Sequence, residues 1–140
     1  MNITLSCNNG EEIYTFPVVT EMPQIQNSYK NEEFETINDT INLAGNRELM
    51  RISISSFFPV NKNYPFANKK AVSNGWEYVR FIERCANNKI PVRLIINDGM
   101  RTILNIASLV NSFIYNVDRK NDIQYTLELM EYRFVNVKQV

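Results

Sequence analysis

This sequence predicts an α+β fold: a β-rich barrel or sandwich of mostly antiparallel strands, with one amphipathic helix at about residues 74–87. Three observations predict it. Apolar residues alternate with polar ones in most stretches that carry them, the period of a strand with one face buried. Asn8-Asn9-Gly10 and Asn97-Asp98-Gly99 separate such stretches with residues that accept the positive φ of a tight hairpin. One stretch, Trp76–Asn87, instead repeats its apolar residues at helical spacing. The 140 residues suit one domain, residues 1–140, with a real hydrophobic core.

Taken in order, Ile3, Leu5 and Cys7 alternate with polar neighbours, and Ile13–Phe16 resumes an extended pattern after the Asn-Asn-Gly turn, so the chain opens with a hairpin. Pro17 and Pro23 exclude a central strand between them. Residues 24–46 are polar and acidic. They read either as short strands at Phe34–Ile37 and Thr40–Leu43, or as an extended arm that orders on a partner. Met50, Ile52 and Ile54 then mark a half-buried strand that ends at Phe57-Phe58-Pro59, followed by a loop with Tyr64-Pro65-Phe66 at its middle. Ser73 or Asn74 caps the helix, and Glu77 complements its positive end. Tyr78, Phe81, Ile82 and Cys85 share the helix's apolar face, widened by Val79 and Ala86. A left-handed residue at Asn87-Asn88 is expected to close it, and Pro91 forbids continuation.

Val92–Ile96 is the next strand. Thr102–Val117 is long for one strand, so Asn105, Ser108 and Asn111 are expected to hold a bend or bulge. In the last strand Ile123, Tyr125, Leu127 and Leu129 alternate with polar residues, and the apolar phase then moves to Met130, Tyr132 and Phe134. A phase change of one residue predicts a bulge near Leu129-Met130.

Fifteen basic and fifteen acidic residues cancel, so bulk charge gives no reason to expect nucleic acid or an anionic membrane as partner. The distribution is uneven. Residues 1–40 hold seven acids (Glu11, Glu12, Glu21, Glu32, Glu33, Glu35, Asp39) and one base, Lys30. Residues 59–101 hold eight bases (Lys62, Lys69, Lys70, Arg80, Arg84, Lys89, Arg93, Arg101) and three acids. Two readings stay open: docking faces for different neighbours or for the next copy in a ring, and solvated faces that neutralise within one fold. No apolar run reaches the length of a membrane span, and Met1-Asn2-Ile3 opens straight into alternating sequence rather than into a signal peptide. Cys7 and Cys85 permit one disulfide, but a reducing compartment would keep both thiols free, and Cys85 reads as a small core residue.

Catalytic chemistry finds little support. Histidine is absent, which removes the commonest general base and metal ligand. Two cysteines without CxxC spacing do not make a zinc site, and no glycine-rich loop precedes the helix. Glu11/Glu12 and Glu32/Glu33 are adjacent on extended chain, so their carboxylates point to opposite faces. The expectation is no catalytic residue, no cofactor and no metal. The residues suited to anchor a protein interface are Tyr64, Phe66, Trp76, Arg80 and Arg93, while the Tyr64-Pro65-Phe66 loop reads equally as folding back over its own core and Trp76 as packing at the helix start.

The order of motifs carries a resemblance. Ser55-Ser56-Phe57-Phe58-Pro59, then Tyr64-Pro65, then Glu77-Tyr78-Val79-Arg80-Phe81-Ile82-Glu83, then Pro91-Val92-Arg93-Leu94-Ile95-Ile96, and finally the run Tyr125 to Arg133 are similar to the N-terminal domain of LysM-type phage tail assembly and baseplate proteins of Gram-positive myophages and phage-tail-like bacteriocins. The resemblance spans roughly Arg47 to Val137. It implies a structural part of the baseplate or hub region of a contractile tail, in a virion or phage-tail-like particle made in a bacterial cytoplasm. It joins the tube or hub to neighbouring tail and baseplate proteins (tube, hub, wedge) and to copies of itself. The LysM module usual after this domain is expected to be missing, since the sequence stops at Val140, and the acidic 24–46 segment has no place in the family pattern. A tail-tube-like protein lining the channel, and an assembly chaperone or binding module, are the alternative roles.

Overall fold

The computed structural model describes residues 1–62 and 64–133. Among the described residues nine strands and one α-helix follow in the order β1 (Asn2–Cys7), β2 (Glu12–Thr15), β3 (Gln24–Gln26), β4 (Glu32–Glu35), β5 (Thr40–Leu43), β6 (Arg51–Phe58), α1 (Gly75–Asn87), β7 (Val92–Asn97), β8 (Thr102–Val117) and β9 (Ile123–Glu131), with a short 3-10 turn at Asn8–Gly10 between β1 and β2. Seven strands make one sheet in the order β2-β1-β7-β8-β9-β6-β3, antiparallel at every pairing, and β4 and β5 form a separate two-stranded ribbon. The fold is thus α+β, β-rich and antiparallel with one helix, as expected. It is not a closed barrel: β2 and β3 remain the two edges. The sheet curls instead. The chain leaving β2 at one edge meets β6 near the other, where Ser56 Oγ donates to the Val18 carbonyl at 2.9 Å.

Alternation decides which face is inside. Ile3 and Leu5 of β1 stand opposite Ile96 and Leu94 of β7, and Ile52 and Ile54 of β6 stand opposite Leu129 and Leu127 of β9. All eight are buried. Cross-strand partners share a face, so these pairs build one apolar surface, and α1 lies on it with Tyr78, Val79, Phe81, Ile82 and Cys85 buried. Asn74 caps the helix by accepting the Trp76 N–H at 3.2 Å. Gly75 lets the first turn sit on the end of β6, where an added Cβ would lie 2.8 Å from both the Phe58 Cβ and the Pro59 carbonyl.

Aromatic rings lock these parts together. Phe58 is stacked between Tyr78 of the helix (4.7 Å between ring centres, 8° between planes) and Tyr125 of β9 (4.1 Å, 7°). Phe16 stands edge-on to all three, at 5.6, 6.1 and 6.0 Å. The Tyr78 hydroxyl donates to the Thr15 carbonyl at 2.6 Å and accepts the Val72 N–H at 2.9 Å. Burial pushes its pKa up to about 12, so it stays a donor at any working pH.

Two local expectations are corrected. The left-handed residue that ends the helix is Lys89 (φ +55°), not Asn87 or Asn88. The Lys89 N–H bonds the Ala86 carbonyl and the Ile90 N–H bonds the Cys85 carbonyl, the paired pattern that ends a helix with its left-handed residue one position past the cap. That cap is Asn88, still in a right-handed conformation. The bulge expected near Leu129-Met130 lies in the facing strand. β9 runs in unbroken register against β6, while β8 shifts between Val110 and Ser112, leaving Asn111 as the extra residue. The long strand absorbs the mismatch at one of the three residues picked out for it. Phe134, the last residue of the phase change, lies outside the described residues.

One buried group stands out. The Tyr125 hydroxyl is sealed in the core without a hydrogen-bond partner among the described residues, and burial drives its pKa upward. A buried hydroxyl without a partner costs on the order of 1–3 kcal/mol relative to one that is satisfied. Tyr125→Phe keeps the ring stack and removes that cost, so it is expected to raise stability by about 1–3 kcal/mol. Urea unfolding checks this; a loss of more than ~1 kcal/mol would mean the hydroxyl has a partner.

Candidate protein-interaction surfaces

The Tyr64-Pro65-Phe66 loop folds over its own neighbours. The Tyr64 hydroxyl donates to Asp122 Oδ2 at 2.6 Å, and the carboxylate beside it raises the Tyr64 pKa. Asp122 is buried and also receives Lys62 Nζ at 3.3 Å. Tyr64 and Phe66 stack at 5.0 Å, and both stand edge-on to Phe57. Phe66 is still 63% exposed, so the loop presents one aromatic face outward on a braced base. A cavity of about 420 Å³ lies behind it, lined by Pro17, Lys62, Tyr64, Lys69 and Val72 among others.

The other expected anchors lie elsewhere. Trp76, half-buried, packs edge-on against Tyr115 at 6.2 Å at the start of α1. Arg80 follows one turn later and is exposed. Arg93 is on the face of β7 that points away from the helix, between buried Val92 and Leu94, and donates to Asn105 Oδ1 at 2.9 Å. The structure therefore joins Tyr64 with Phe66 and sets Trp76 near Arg80, while Arg93 belongs to the opposite side of the sheet.

The acidic segment 24–46, expected as short strands or as an extended arm, is a further exposed surface. From β3 onward the chain runs out from the sheet edge as a ribbon and returns into β6. Gln24–Gln26 pair with Arg51–Ser53, Tyr29 pairs with Arg47, the Lys30 N–H bonds the Asn46 carbonyl at 3.0 Å, and Glu32–Glu35 pair with Thr40–Leu43. Gly45 is needed for this approach, because a Cβ there would overlap the Lys30 carbonyl. Thr36 and Asp39 close the tip by mutual hydrogen bonds. In the ribbon Phe34 faces Ile41 and Glu32 faces Leu43, which puts Phe34, Ile41 and Leu43 on one side and Glu33, Glu35, Thr40 and Asn42 on the other. Phe34, Ile41 and Leu43 are about half exposed (48%, 46% and 50%), and Ile37 at the tip is fully exposed. Of the two short strands expected here, Thr40–Leu43 lies where expected and the other lies at Glu32–Glu35 rather than Phe34–Ile37.

The base of the ribbon is held by one carboxylate. Arg47 meets Glu131 with two guanidinium nitrogens, at 2.8 and 3.2 Å, the Met50 N–H reaches the same carboxylate at 3.0 Å, and the Glu131 N–H bonds the Met50 carbonyl at 2.8 Å. Lys30, Arg47, Arg51 and Arg133 outnumber Glu48 around a cavity of about 490 Å³ beside it, with Leu49 and Met130 as its apolar part. The ribbon is thus acidic at its tip and basic at its root. Among the described residues no three Asp, Glu, Cys or His side chains gather as metal ligands, and no helix is long and apolar enough to cross a membrane.

The Arg47 guanidinium, then the Met50 N–H, hold the Glu131 carboxyl below its ordinary value. A carboxylate depressed in the folded state stabilises above its ordinary pKa of about 4.5 and loses that contribution as pH falls through the folded value. Glu131→Gln is therefore expected to lower the melting temperature at pH 7 and to flatten its fall between about pH 5 and about pH 3. Melting curves for both proteins across that range measure this, and parallel curves would remove Glu131 from the account.

No protein-family model and no curated protein matches the sequence. The fold is similar to that of a chain in the cryo-EM structure of the anti-feeding prophage (AFP) baseplate, 6-fold symmetrised, with a TM-score of 0.52 and 10% identity over 94% of this chain and 88% of that one.

Proposed function

We propose that this protein is a non-enzymatic structural component of a contractile phage tail or phage-tail-like particle. In this reading it sits in the baseplate or hub region and joins the tail tube or hub to neighbouring baseplate proteins. The observation that carries it is the fold likeness to a baseplate chain along nearly the whole length of both proteins, which agrees with the motif order from Arg47 onward. The body acts as a scaffold and the ribbon as the contact. Residues 24–46 form an arm whose apolar side, Phe34, Ile41 and Leu43, has no cover within the described chain. A two-stranded ribbon is marginal by itself, and an apolar stripe rimmed by charge marks a protein-binding surface.

The arm acids Glu32, Glu33, Glu35 and Asp39 select a basic neighbour, while the Lys30, Arg47, Arg51 and Arg133 cavity accepts an acidic one. Copies of the same chain are among the partners that fit. Tyr64, Phe66, Trp76, Arg80 and Arg93 supply further contacts from the body. The test is mass spectrometry of particles purified from cells in which the chain carries either its own arm or Phe34→Asp with Ile41→Asp. The chain is expected in the particles at fixed stoichiometry. The double variant is expected to keep its melting temperature and to drop out of them. Absence of the unaltered chain from mature particles would overturn the structural role, and undiminished incorporation of the variant would overturn the role of the arm.

A further inference from the structure

The chain has two cysteines, far apart in sequence, and the fold brings them together. Cys7 ends β1 and Cys85 lies in the last full turn of α1; both are buried, at 5% and 1% exposure, in the same core cluster. The Cys7 thiol points to Glu12 Oε2 at 3.9 Å, and that carboxylate is gripped by Arg84, the residue before Cys85. Behind the larger effect of burial, each thiol shifts the other's pKa, Cys85 lowering that of Cys7 and Cys7 raising that of Cys85. Tyr14 of β2 packs on Phe81 at 4.4 Å between ring centres, so the end of the helix is pressed onto the β1–β2 hairpin. The Ile90 N–H bonds the Cys85 carbonyl and fixes the backbone there. A cavity of about 470 Å³, lined by Cys7, Gly10, Ile90, Pro91 and Arg93 among others, opens beside Cys7.

We propose that Cys7 and Cys85 form a reversible disulfide that staples the helix to the edge of the sheet once the protein leaves a reducing compartment. The inference depends on the fold alone and not on the proposed function. The oxidant is a small-molecule disulfide. Cys7, the thiol beside the cavity, loses its proton and attacks one sulfur of the reagent, releasing one thiol and leaving a mixed disulfide. Cys85 then loses its proton and attacks the Cys7 sulfur, and the second reagent thiol leaves with that proton. Two protein thiols become one disulfide, and one reagent disulfide becomes two thiols. Burial raises the pKa of both thiols: Cys7, further raised by Glu12, and Cys85, pushed up to about 11. The thiolate is the attacking form, so closure is slow at neutral pH and speeds up as pH rises.

The experiment treats the full chain with oxidised glutathione at neutral and at alkaline pH, and separately refolds it from urea in the same reagent. The expected product is a monomer lighter by two hydrogens, without free thiols after denaturation. It yields one Cys7–Cys85 linked peptide, and its urea midpoint is higher than that of the reduced protein and returns on adding dithiothreitol. Cys85→Ser is expected to stop at a glutathione adduct on Cys7, with no gain in midpoint. Two free thiols or only mixed adducts after both routes would overturn the proposal, as would linked dimers or a cross-linked form less stable than the reduced one.

Discussion

The stack of Tyr78, Phe58 and Tyr125 is the contact on which the rest of the molecule depends. Phe58 ends β6, Tyr125 is in β9 and Tyr78 belongs to the helix, so one column of rings ties the helix to two neighbouring strands. Phe16, just past β2, closes the column edge-on and brings in the far side of the sheet. Large aromatic faces bury much apolar area and add a geometric preference of their own, about 0.5–1.5 kcal/mol for each good pair. This explains how a sheet left open at both edges still encloses a core. The curl that brings the chain after β2 within reach of β6 is held by rings and by the Ser56–Val18 hydrogen bond, not by a strand ladder. The Tyr78 hydroxyl adds direction, since it joins the strand before Phe16 to the loop before the helix.

The rigid body has a consequence for the ribbon. β3 is short and lies at the edge of the sheet, and beyond it the chain pairs only with its own return until β6. The core therefore supplies a fixed platform and Glu131 a fixed root. The ribbon carries an apolar side, Phe34, Ile41 and Leu43, that stays about half exposed among the described residues.

How much of this was legible in the sequence follows from the range of each interaction. The β1–β2 hairpin, β6, the helix and β7 depend on alternation, Asn-Gly turns and a capping asparagine, all local signals, and each lies where the pattern put it. The stop at Lys89 is not legible locally, because the left-handed position is set by the Cys85 and Ala86 carbonyls and a lysine there carries no propensity signal. The phase change in β9 signals a bulge but does not say which of two paired strands carries the extra residue; Asn111 of β8 does. An open sheet cannot be told from a barrel without knowing which edges meet, and that is set by Phe16 packing against residues more than forty positions away. Tyr64 was recognised as a rigid loop aromatic, but its tie to Asp122 is a long-range contact with no local trace. The amphipathic character of the ribbon was hidden for a related reason: Phe34, Ile41 and Leu43 align only once the register of the pairing is known.

Native-state hydrogen exchange on the isolated full chain tests the central claim most directly, because it resolves the platform from the arm in one measurement. Amides of β1, β6, β7, β9 and the helix are expected to exchange together, through global unfolding, with their protection falling as one unit when Phe58→Leu weakens the ring stack. Amides of β4 and β5 are expected to exchange far faster, by local opening, and to be indifferent to that substitution. Protection of β4 and β5 equal to that of the core, or a Phe58→Leu effect confined to β6, would contradict the account.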